Sequence, residues 1–196
     1  MTVTRASTSS VLQGFQKYQT MWDQDTEQGA IVPIQTISLS ANAGAINFAV
    51  IPSTYQHLFI VASLRDTTAS VNPVFFNFIN NNGGSVYSAT QITGDGASAS
   101  SGRISNQGNM GIGLQLGSTA NTNIFATNLI YLPNYNSPTF KTIIYKSAAD
   151  NNGSGATRLS VGSFRDTNPI TQFSFNAAAL FLAGSQATLY GIKAVV

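Results

Sequence analysis

From Ile31 to the end of the chain, short apolar runs alternate with clusters of Asn, Gly, Asp and Pro, and no segment between them is long enough for a helical crossover. The clearest clusters are Asn80-Asn-Asn-Gly-Gly84, Gly94-Asp-Gly96 and Asn151-Asn-Gly-Ser-Gly155. These residue types tolerate positive φ and mark hairpins and corners. Parallel strands need long crossovers, whereas antiparallel strands close over a few residues, so this punctuation dictates antiparallel pairing. Strands are expected at 31–39, 45–50, 57–64, 74–79, 86–92, 110–116, 124–132, 140–145, 157–164 and 171–175. A last stretch, 179–196, breaks near Gly184-Ser185, and the small polar stretch from Gly94 to Gly102 is expected to be a loop. Many short strands at such spacing predict an all-β fold, an antiparallel β-sandwich of jelly-roll-like form over 31–196, with residues 1–30 as an extended N-terminal arm.

Composition agrees with that pattern. Glu occurs once, as Glu27, while Gly (17) and Phe (12) are plentiful, which removes good helix formers and enriches turn and strand residues. Only 8% of the 196 residues are charged, against roughly 25% in an average domain. Ser, Thr, Asn and Gln together number 72, so the surface is wetted by hydroxyls and amides. There is no cysteine, which excludes a thiol nucleophile, Cys-ligated zinc and disulfides. The pI near 9.0 rests on a surplus of two charges, too scattered for nucleic-acid binding. The start lacks the apolar run of a signal peptide, and Ala177 to Ala183 is far shorter than the roughly 20 residues of a membrane helix. A soluble chain with no membrane partner is expected.

The arm has its own texture. Val11, Leu12, Phe15, Tyr18 and Trp22 recur at spacings that fit a short amphipathic turn, interrupted by Gly14. Such aromatic anchors suit either a strap packed on its own domain or an arm ordered by a neighbouring subunit. Asp23, Asp25 and Glu27 follow, at calcium-loop spacing but without the loop glycine. In the body, Phe76 and Phe78 alternate with Phe75, Asn77 and Ile79, giving a strand apolar on both faces and hinting at self-association. An echo appears 100 residues apart: Arg65-Asp66-Thr67 and Arg165-Asp166-Thr167 each end a strand before a Pro-containing turn. Each Asp is expected to bond its turn backbone. The other reading makes Arg65, Asp66, Arg165 and Asp166 contacts for a partner at one rim of the sandwich.

Catalytic equipment is scarce. His57 is the only histidine, so a triad would have to use it, and its place at the start of a strand suggests a structural hydrogen bond. The body's acids are Asp66, Asp95, Asp150 and Asp166, a thin supply for paired-carboxylate glycoside hydrolysis. Gly108-Asn-Met-Gly-Ile-Gly113 lacks the Lys-Ser/Thr of a phosphate loop and reads as a strand permitting close backbone approach. Asn152-Gly-Ser154 is formally a glycosylation sequon. No enzyme, metal or cofactor is expected.

Ser10-Val-Leu-Gln-Gly-Phe15, Ile51-Pro-Ser-Thr-Tyr-Gln-His-Leu58, Phe75-x-Asn77-Phe78 with Gly84-x-x-Tyr87, and the closing Ala187-Thr-Leu-Tyr-Gly-Ile-Lys193 carry a resemblance. Together they resemble small virion proteins of tailed bacteriophages, with Asn80 standing where that family often has Gly-Asp. The resemblance implies a β-sandwich module of a homotrimeric decoration, fibre or tail protein, made in the host cytoplasm and carried on the virion surface. Its first implied role is a capsid decoration (cement) protein whose arm (Val11, Leu12, Phe15, Tyr18, Trp22) docks on the major capsid protein. A second is a tail or fibre tip that binds host polysaccharide through aromatic residues such as Tyr87, Tyr131 or Tyr135. A third class, a polysaccharide depolymerase, would have to draw on the few acids.

Overall fold

The computed structural model describes residues 31–70 and 74–193, and no described residue is helical. The expected arm and its five apolar anchors lie outside the described residues. Twelve strands form the body: β1 (Ile31–Ser38), β2 (Ala43–Phe48), β3 (His57–Leu64), β4 (Val74–Ile79), β5 (Tyr87–Gly94) and β6 (Ala99–Gln107) in its first half. The second half holds β7 (Met110–Leu114), β8 (Ala126–Leu132), β9 (Lys141–Asp150), β10 (Gly155–Phe164), β11 (Phe173–Phe181) and β12 (Gln186–Ile192).

The topology follows from one long antiparallel ribbon rolled on itself. β1 pairs with β12, β2 with β11, β3 with β8 and β4 with β7. Rolling that ribbon deals its strands alternately into two sheets, β1-β12-β3-β8 and β2-β11-β4-β7, the double Greek key of a jelly roll. Two inserted hairpins, β5–β6 and β9–β10, widen the first sheet to eight strands in the order β1-β12-β3-β8-β9-β10-β5-β6. Every strand pair within the sheets is antiparallel.

The core lies between the sheets. Strict alternation along β3 and β9 turns Leu58, Ile60, Ile143 and Tyr145 inward. The small sheet answers with Phe75, Phe173 and Phe175, whose rings meet edge to face at 5.2–5.4 Å. Each such aromatic, once buried, is worth about 1.5–3 kcal/mol over its exposed state. β4 sends Phe75, Asn77 and Ile79 into the core and leaves Phe76 and Phe78 half-buried outside. β7 does allow the close approach its glycines suggest, since a Cβ on Gly113 would stand 1.8 Å from the Phe75 ring. Six described Asn residues take positive φ, Asn80 and Asn81 side by side in one turn at 51° and 52°. The Asn80 amide also accepts the Thr171 N–H at 2.8 Å and donates to the Pro169 carbonyl at 2.8 Å, binding two corners together.

Three segments depart from expectation. Only residues 95–98 of the supposed 94–102 loop form a turn, with Asp95 accepting the N–H groups of Ala97 (2.9 Å) and Ser98 (2.6 Å). Residues 99–102 pair with 91–94 of β5. β6 is an exposed edge strand with little to bury, so it shows no apolar alternation to read. β9 continues five residues past Tyr145 to Asp150, its tail being small side chains that alternate without bulk. β11 runs through a register shift between Asn176 and Phe181 where a break between two segments was expected.

Candidate functional site

The two Arg-Asp-Thr echoes share one local device and little else. Asp66 accepts the Thr68 backbone N–H, and Asp166 accepts that of Asn168 at 2.8 Å, so each carboxylate closes its own turn as expected. Beyond that, Asp66 is fully buried and also takes hydrogen bonds from the Thr68 hydroxyl and from Gln115 Nε2 at 3.0 Å. The Arg65 guanidinium, also buried, donates to the carbonyls of Ala120 (2.9 Å), Ile124 (3.0 Å) and Asn121, pinning the β7–β8 loop. Ser185 Oγ accepts the Arg65 N–H at 3.1 Å. Arg65 and Asp66 are therefore internal tie points.

The second corner faces outward. Arg165 and Asp166 are half-buried; Arg165 donates to the Ser85 carbonyl at 2.7 Å and to Asn106 Oδ1 at 2.9 Å. Beneath it, Lys141 is buried, with Nζ on the carbonyls of Asp166 (2.9 Å) and Asn168. Burial pulls the Lys141 ammonium below its usual pKa, while the Asp166 charge opposes that shift. Register separates the corners: Leu64 pairs with Ala126, next to the Ala148 end of β9, while Phe164 pairs with Lys141 at the other end. Seven residues of strand, roughly 23 Å, lie between those ends. The four residues thus do not converge on one rim, because an odd number of strand reversals separates β3 from β10.

Chemistry-bearing groups are dispersed. His57 sits at the start of β3, its Nδ1 accepting the Asn134 backbone N–H at 3.0 Å and its ring tilted against Tyr131 at 5.7 Å. Asp95 and Asp150 line a shallow hollow between the β5–β6 and β9–β10 turns, with Gly96, Gly153 and Ser154. Hydrogen bonds from Ser98 and Ala97 hold the Asp95 carboxyl below the usual carboxylate range, the reverse of what a general acid needs. Among the described residues, no three His, Cys, Asp or Glu side chains gather as metal ligands. Of the three tyrosines proposed for sugar stacking, Tyr87 and Tyr135 are fully buried. The Tyr87 hydroxyl accepts the Ile79 N–H at 2.9 Å and donates to the Asn82 carbonyl at 2.8 Å. Burial is the main cause that pushes its pKa up to about 12.

What the fold does assemble is a surface. On the outer face of the large sheet, pairing aligns Tyr190, Phe59, Tyr131, Ile144 and Val161 in one row across β12, β3, β8, β9 and β10. The next row holds Val61, Leu129, Lys146, Leu159 and Ile92, ending on β5. Ile92 is 54% exposed, Leu159 and Val161 each 45%, and Ile144 37%. Tyr190 and Phe59 lie 6.4 Å apart, extending the aromatic contact of His57 with Tyr131. Isolated exposed apolar side chains are ordinary, but a field spanning six strands, about 24 Å wide, is the candidate interaction surface of the described residues. Sequence reading isolated only Tyr131 here. Phe59 and Val61, interleaved with Leu58, Ile60 and Ala62, carried the missing signal, since a strand apolar on both sides needs cover on both.

The described residues thus form a β-sandwich protein of jelly-roll topology. No protein-family model, curated protein or solved structure matches this chain.

Proposed function

We propose that this chain is a non-enzymatic structural protein of a tailed-phage particle, a capsid decoration protein that works as a homotrimer on the virion surface. The observation that carries the reading is the outer face of the large sheet, apolar and aromatic across β12, β3, β8, β9, β10 and β5, and so suited to burial against protein. Jelly rolls are a recurrent solution for capsid and lectin domains, which supports the class without fixing the role. Contacts through apolar and amide groups are insensitive to salt, a property suited to a shell component. In this reading the outer face and the arm residues Val11, Leu12, Phe15, Tyr18 and Trp22 are the attachment elements. Copy number per purified particle tests it: a count on the scale of the coat protein supports decoration, and a count on the scale of tail components overturns it.

The half-buried aromatic row of Tyr190, Phe59 and Tyr131 on the outer face favours one second reading, a fibre tip that stacks host polysaccharide on those rings. Particles lacking the protein would then lose adsorption to host cells while keeping their stability. Depletion under the decoration reading does the opposite.

A further inference from the structure

The outer face also has a candidate cover within the same chain. We propose that, before assembly, residues 11–22 seat on the outer face of their own large sheet, so that arm and face shield each other until the particle draws them apart. This deepens the attachment role proposed above by naming what occupies its surface in the free protein.

Three observations support it. The first is reach. Residue 31 begins β1, the edge strand of the large sheet, paired with Ile192 at the end where His57 and Tyr131 stand. Trp22 precedes Ile31 by nine residues, which span up to about 30 Å when extended. The centre of the face, on β8 and β9, lies three to four strands away, roughly 14–19 Å. A tether that can span its site raises the local concentration of the arm to about the millimolar range, favouring its own sheet over a neighbour's. The second is chemical match: the arm brings Phe15, Tyr18 and Trp22 to a face of Tyr131, Ile144 and Val161. The third is charge. Asp23, Asp25 and Glu27 follow Trp22 directly, and exposed Lys146 lies in the middle of the apolar rows.

Trp22 is the only tryptophan, so its fluorescence reports on the arm alone. In the full-length free protein, the proposal requires a blue-shifted Trp22 emission shielded from acrylamide and unchanged on dilution to the point where the protein sediments as a single copy. Leu159→Glu/Val161→Glu should move the emission to that of the urea-unfolded chain while far-ultraviolet circular dichroism stays that of a folded β protein. Val50→Glu, at an 81% exposed position off this face, should leave the emission in place. A solvent-exposed Trp22 in the wild-type chain overturns the proposal. So does shielding that disappears on dilution together with a higher mass, which would assign the cover to a second copy, and so does shielding indifferent to the face variant. Each outcome leaves the particle copy number, and so the decoration reading, to be decided separately.

Discussion

The corners at Arg65-Asp66-Thr67 and Arg165-Asp166-Thr167 share their three letters and their Asx-type turn, yet one is buried and the other looks into solvent. The difference lies in what the chain does next. After the first corner it crosses to the small sheet, and the Asp66↔Phe181 and Arg65↔Leu116 bridges enclose the charges between strands. At the second corner, the Asn82 and Asn168 side chains and the Lys141 ammonium meet Asp166 from the side, leaving the turn at the surface. A short motif therefore specifies a turn, while topology decides whether that turn is a structural pin or a piece of surface.

The largest test of this contrast is Arg65→Ala against Arg165→Ala. The first leaves three loop carbonyls without their donor, that of Ala120 buried and those of Asn121 and Ile124 partly so, and should cost on the order of 3 kcal/mol or prevent folding. The second removes bonds at a wet surface and should cost about 0.5–1 kcal/mol. Urea melts of the two variants measure the gap, and equal losses would break the contrast. Next in size, Asp66→Asn turns an acceptor of several buried donors into a mixed donor and should destabilise by about 2 kcal/mol. Asp166→Asn retains most of its surface bonds and should fall within about 0.5 kcal/mol of the parent.

A smaller effect sharpens the picture under the second corner. Burial pushes the Tyr87 hydroxyl up to about 12 in the folded state, from an ordinary tyrosine value of 10.0. The native state thus keeps a proton that the unfolded chain releases, so this contribution is complete below about pH 10 and is lost as pH rises through 12. Stability measured from pH 9 upward should decline, and Tyr87→Phe should flatten part of that decline while losing a little neutral-pH stability with the Ile79 and Asn82 bonds. An unchanged alkaline slope in the variant would assign the decline to Tyr135 and Tyr145, which burial also raises.

How far the sequence could be read follows the same division between local and non-local information. β3 and β4 appear at the expected residues because apolar runs and flanking turn residues are local signals. The turn roles of Asp66 and Asp166 were legible for that reason too. The start of β6 was not, since its mostly exposed edge residues Ala99, Ser100, Ser101 and Gly102 have no buried apolar face to impose a pattern. The separation of the two corners depends on counting strand reversals across the sheet, which no window of sequence contains. The outer face was half legible: Tyr131 stood out as an aromatic, but Ile144, Leu159, Val161 and Ile92 become one surface only when β8, β9, β10 and β5 are set side by side.

That surface is the centre of the account. The most direct measurement compares rebinding of wild-type and Leu159→Glu/Val161→Glu protein to purified particles stripped of this chain, with equal thermal melts establishing that both are folded. Loss of rebinding by the variant is the expected result, because two carboxylates would have to be buried in an apolar contact. Rebinding by the variant to the wild-type copy number would contradict the assignment of the outer face as the working surface of this protein.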